Sequence, residues 1–249
     1  MQFKYTYFLA LFTAFLLITE SKAYSQQQER SDYTHFSTLS GTDGQPVEIE
    51  FRKGLQHYYP LMAIWVEDTT GTYEHAFYVA ESIAKGVFRH APYEDKKWNP
   101  GKKIIPAALP YWAHKQTKIS GDSLMMPTPE NPIPDAYTGA TPTRSFVLKT
   151  FVADSVGPVF DLLLEINQSW DWNEYWYNNK YPGNQEYMKS AQPAVVYKVR
   201  VDKRLDKQLY PMVPVGHSHP YGASGELFSD LQTLTTALEI ADKIIVRVK

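Results

Sequence analysis

Thr141 closes a run in which each residue type bears on one kind of chemistry: Asp135-Ala136-Tyr137-Thr138-Gly139-Ala140-Thr141. A threonine hydroxyl serves as a nucleophile only if another group can reach it. Gly139 and Ala140 have too little bulk to obstruct an approaching active site. Pro142 disfavours the helical region for the residue before it and so holds Thr141 extended, a conformation suited to presenting a peptide strand to another enzyme. Asp135 and Thr138 add a carboxylate and a second hydroxyl to the run. The same residues are also good turn chemistry, with Gly139 free to take positive φ.

Two other clusters compete for a role. Ser169 to Tyr177 concentrates Trp170, Trp172 and Trp176 in a single stretch. Such rings stack on a flat heterocycle or on a sugar, or pack as a satellite core beneath a loop. His217-Ser218-His219-Pro220 places two histidines at i and i+2, the spacing that shares one face of a strand. A zinc isopeptidase also needs Ser-x-x-Asp, and here Gln232 stands three residues after Ser229, so the carboxylate ligand is missing from its place. A structural loop among Gly216, Pro220, Gly222 and Gly225 accounts for the histidines, and no metal is assigned. Glu67 and Asp68 are adjacent at a hairpin end, so their side chains diverge and they read as turn residues. No nucleophile elbow, P-loop, dinucleotide fingerprint or zinc-helix motif is present.

These residues need elements to hold them. Val47 to Arg52 alternates apolar and polar, which predicts a half-buried strand. Leu61 to Val66 is continuously apolar and predicts a central strand. Glu67 to Gly71 is a turn, and Tyr73 to Val79 returns as the hairpin partner. Ser145 to Val152, Val159 to Ile166, Ala194 to Val201 and Lys243 to Val248 have the same character. Helical signals are few: Ala107 to Gln116, with Pro110 confined to its first turn, and Leu231 to Ala241, weakened by Thr235 and Thr236. Many short strands predict an all-β fold, a β-sandwich of immunoglobulin-like type with few short helices. Pro92 to Pro142 is dense in proline and reads as a linker or a functional loop.

The N-terminus predicts export. Lys4 precedes an apolar run from Tyr7 to Ile18, and Ala23 and Ser25 offer small residues for cleavage. The expected organisation is a signal peptide over 1–25, a polar leader over 26–45 and a single sandwich domain over 46–249, in the periplasm or secreted. With no cysteine, disulfides, c-type haem and iron–sulfur clusters are excluded. A net charge of −2 argues against nucleic acid, which needs concentrated Lys and Arg. The 18 tyrosines and 6 tryptophans favour strands and stacking surfaces.

The run ending at Thr141 resembles the Asp-x-x-Ser/Thr-Gly-Ala-Thr flavinylation motif of membrane redox subunits, with Thr138 where serine is commoner. The resemblance implies FMN joined through a phosphoester to Thr141 by a flavin transferase. Asp135, Thr138, Gly139 and Ala140 complete the acceptor site, with Asp135 serving transferase recognition. Tyr59 to Asp68, Leu109-Pro110-Tyr111-Trp112 and the motif together resemble the predicted periplasmic domain-of-unknown-function 2271 family, over roughly Val47 to Ile166. That resemblance implies an extracytosolic electron carrier working with a membrane reductase of PepSY type. Trp170, Trp172 and Trp176 are then candidates for shielding the flavin. The alternative expectation is a non-catalytic secreted β-sandwich that binds glycan or protein through an aromatic-rich face.

Overall fold

The computed structural model describes residues 33–38, 44–91, 93–120, 126–133 and 137–249. The expected signal peptide therefore lies outside the described residues, as does Asp135. Two sheets form an all-β sandwich. The first runs β1 (Thr34–Ser37), β10 (Phe146–Val152), β2 (Gln45–Lys53), β15 (Ala241–Val248), β13 (Leu209–Pro211). The second runs β14 (Val213–His217), β12 (Val195–Asp202), β11 (Val159–Asn167), β3 (Leu61–Glu67), β4 (Tyr73–Ala80), β9 (Tyr137–Gly139). Strand β9 lies parallel to β4, so this sheet is mixed. The compact unit begins at His35. Most of β1 thus belongs to it, although β1 falls within the stretch expected to be a leader.

Alternation decides how β2 faces. Val47, Ile49 and Phe51 point into the sandwich and are buried, while Glu48 and Glu50 point out. Arg247 and Lys249 reach them from β15, with Arg247 donating to Glu50 at 2.6 Å and Lys249 paired with Glu48 at 2.8 Å. Such cross-strand pairs fix register at modest energetic gain.

The continuously apolar strands have two faces to bury. Met62, Ile64 and Val66 of β3 and Leu162, Leu164 and Ile166 of β11 join the core between the sheets. Ala63, Trp65 and Leu163 point the other way, into a second core. Its cover comes from the proline-rich stretch and the residues just before it. Helix α1 (Glu81–Lys85) opens the cover, followed by a hairpin of β5 (Val87–Phe88) with β8 (Gly101–Lys102) enclosing one of β6 (Tyr93–Glu94) with β7 (Lys97–Trp98). Ile105, Ala108, Leu109 and Trp112 then pack on the sheet. The stretch read as a linker or loop is thus in large part a structural layer.

Helix α2 (Pro110–Ser120) belongs to this layer. It starts three residues later than the expected Ala107, because Pro110 takes the first helical position, where its missing N–H costs nothing. The next two orphan donors meet one carboxylate: Tyr111 donates to Glu165 at 3.2 Å and Trp112 at 2.8 Å. Ala113 then makes the first helical bond, to the Leu109 carbonyl. The end of α1 is fixed by Gly86, whose left-handed φ of 61° suits glycine and whose bare Cα lets the Pro127 backbone approach.

The helix expected over Leu231 to Ala241 is absent. A 3-10 turn at Thr236–Glu239 leads directly into β15. Gln192 explains this, since it accepts from the Thr235 N–H at 2.8 Å and donates to the Thr236 hydroxyl at 2.6 Å. Those bonds compete with the helical ladder. One further short helix, α3 (Gln185–Ser190), is capped by Asn184, which accepts from Tyr187.

Candidate functional site

Strand β9 carries Thr138 and Gly139 at the outer edge of the six-stranded sheet. Thr138 pairs with Val79 and Gly139 with Ala80. The pairing is reinforced by the Tyr78 hydroxyl, which donates to the Gly139 carbonyl at 3.3 Å. The Tyr78 ring packs with Phe36 and Phe146, and Phe146 stacks on Phe51 at 4.9 Å, so aromatic contacts link the motif to both sheets. After Gly139 the chain leaves this sheet and crosses to β10 in the other. Ala140 on that crossover is exposed, Thr141 is half-buried and Pro142 is buried. The buried proline anchors the crossover just beyond the threonine, while Ala140 before it stands open to solvent.

A second crossover runs at the same end of the sandwich. Residues 54–60 connect β2 to β3, just as 140–145 connect β9 to β10. The two are tied where they begin and end, the Lys53 N–H donating to the Ser145 hydroxyl at 3.1 Å. Gly54 is anchored by its N–H to the Ile240 carbonyl. Tyr58 is anchored by its N–H to the Gln168 side chain at 2.9 Å. Tyr58 is 58% exposed and Tyr59 79%. His57 between them and β2 is buried against Phe51, with neither ring nitrogen hydrogen-bonded. Burial holds its pKa below the usual histidine value and so keeps the ring neutral.

The three tryptophans divide. Trp172 and Trp176 pack on Tyr187 at ring separations of 5.8 and 6.5 Å. Trp176 also meets His217, on β14 at the sheet edge opposite β9. Trp176 is buried and Trp172 half-buried against the core. Their density in the sequence serves packing: both rings are drawn into the core between the sheets, and Trp176 packs there against the edge strand opposite β9. Trp170 is different, 67% exposed on a backbone of left-handed φ 67°. That conformation is strained for a bulky residue. It is held by its N–H to the Lys189 carbonyl and by the adjoining bridge between Asp171 and Ala191.

The histidine pair is structural, with His217 ending strand β14 and His219 in the loop after it. His217 is sandwiched by Trp176 and Phe228 and its Nδ1 bonds the Ser218 carbonyl at 2.8 Å. His219 Nδ1 accepts from the N–H groups of Tyr221 and Ala223. Among the described residues no three His, Asp or Glu side chains converge to hold a metal. Of the two acids read as turn residues only Asp68 is one, since Glu67 ends strand β3. Asp68 caps the hairpin turn through Thr70 and Thr72, whereas Glu67 is buried, accepting from Trp65 at 2.9 Å and pairing with Lys115.

Sequence reasoning gave no site role to His57, Tyr58 and Tyr59, which lie on the connection next to the one that carries Thr141. One signal was available: two adjacent tyrosines at the point where the alternation of β2 stops and the apolar run of β3 has not begun. Among the described residues no helix is long and apolar enough to cross a membrane. Comparison with protein-family models, curated proteins and solved structures finds no match to this chain.

Proposed function

We propose that this chain is an exported flavoprotein that carries FMN covalently on Thr141 and acts as an extracytosolic electron carrier beside a membrane reductase. The observation that supports this most directly is the setting of Thr141. It follows the exposed Ala140 on a crossover anchored by the edge strand β9 on one side and the buried Pro142 on the other. In the transfer, the Thr141 Oγ attacks the FMN phosphorus of FAD. The new O–P bond replaces the pyrophosphate bridge, AMP leaves, and the hydroxyl proton passes to the transferase. The bound flavin supplies reversible electron uptake and release. The chain's own residues do the rest: Tyr78 fixes the Gly139 carbonyl, Gly139 and Ala140 leave room for the transferase, and Pro142 keeps Thr141 extended.

Intact mass of the mature chain, co-expressed with a flavin transferase, tests this. The expected result is a gain of one FMN less one water, abolished in Thr141→Ala. An unmodified mass, from a transferase shown active on another acceptor, would reduce the motif to a turn.

The exposure of Trp170 favours a second reading, a glycan-binding surface on the same sandwich. A pyranose stacks its C–H face on such a ring. Retarded migration in gels containing soluble polysaccharide, lost in Trp170→Ala, would support it, and unretarded migration across a broad polysaccharide panel would reject it.

A further inference from the structure

We infer that the flavin ring, once attached at Thr141, packs on the 54–60 crossover, with Tyr58 and Tyr59 as its contact surface in place of the tryptophans. This rests on the flavoprotein reading above and names the residues that receive the ring.

Two observations carry it. First, position: Gly139 lies level with the end of β4, and β3, which begins at Leu61, is only two strands away from β9. At roughly 4.8 Å per strand that is about 10 Å, a gap that the ribityl-phosphate arm of FMN is suited to bridge. The bond between Lys53, which ends β2, and Ser145 ties the start of one crossover to the end of the other. Second, surface: Leu55, Tyr58 and Tyr59 are exposed together on a loop whose backbone is pinned at Gly54 and Tyr58, so two flat rings stand in solvent on a fixed frame. Trp172 and Trp176 offer no such surface, because Trp176 is buried and Trp172 is packed half-buried against the core.

The test uses the full mature chain flavinylated on Thr141, with attachment verified by mass in every sample. Tyrosine stacked on a flavin quenches its emission by donating an electron to the excited ring. Emission per attached FMN is expected to be severalfold higher in Tyr58→Ala/Tyr59→Ala than in the parent chain, and unchanged in Trp170→Ala. Both tyrosines are exposed, so the melting temperature of the double variant should stay at the parent value. Full attachment with equal emission in parent and double variant would overturn the inference while leaving the flavoprotein reading intact. A rise in Trp170→Ala alone would move the ring to the tryptophan loop and overturn it as well. A parent chain that never gains FMN would end both.

Discussion

Glu165 shows what one side chain must do to sit at the centre of this molecule. Its carboxyl is fully buried, and burial pushes its pKa up to about 8 against the pull of the Trp112 and Tyr111 N–H groups. Removing it strands two buried donors at the start of α2. Glu165→Ala should therefore lose about 3 kcal/mol in urea unfolding, since each unsatisfied buried group costs about 1–3 kcal/mol. The raised pKa also fixes a sign. Between the ordinary glutamate value and about 8 the folded chain holds a proton that the unfolded chain has released. Stability from this group is thus full at low pH and lost as pH rises towards 8. Glu165→Gln, which cannot ionise, should flatten that alkaline fall. His57 tilts the other way: burial lowers its pKa, so the unfolded chain binds the proton first and stability falls as pH drops below the usual histidine value. His57→Phe should remove part of that acid limb, read as melting temperature against pH from 7 to 5. An unchanged acid limb would mean that His217 and His219, whose pKa values burial also lowers, or the carboxylates dominate it.

At the scale of elements, the strands with strong local patterns were legible from sequence and the layer over them was not. The alternation in β2 and the apolar runs of β3 and β11 are local signals, and each strand expected from them is present. The cover is built from Ile105, Ala108, Leu109 and Trp112, interspersed with prolines and without a period, so only the sheet beneath gives them meaning. The helix expected over Leu231 to Ala241 fails for a related reason, at the two threonines that weakened it: Gln192, more than forty residues away, decides the conformation of Thr235 and Thr236. The candidate site divides in the same way. Its threonine was readable from seven consecutive residues, but the adjoining 54–60 connection lies some eighty residues earlier and is brought beside it only by the pairing of the strands. Gly86 tests how tightly the cover is tied. A Cβ there would sit 2.7 Å from the Pro127 carbonyl oxygen, on a backbone that already needs positive φ. Gly86→Ala should cost about 2 kcal/mol or more, from strain and clash together, measured by chemical denaturation. A cost near zero would show that residues 126–128 move aside freely.

For the whole molecule the question is whether the two cores form one unit or two. Strand β11 serves both: Leu162, Leu164 and Ile166 face the sandwich, while Leu163 and Glu165 face the cover. Trp65 on β3 extends the same sharing, with its ring in the second core and its neighbours Ile64 and Val66 in the first. If the cover lifted alone it would expose Trp65, Trp112 and Leu163 and leave Glu165 without its two donors, costs set only against the chain entropy that the opening releases. The cover should therefore unfold with the sandwich. Native-state hydrogen exchange checks this at chosen amides. Those of Tyr111 and Trp112, bonded to Glu165, should open with the same free energy and denaturant dependence as the amides of β11. In Glu165→Ala the two sets should separate, with the α2 amides exchanging first. If they already separate in the parent chain, the cover is an independently opening layer, and the carboxylate at its base is a weak latch on it.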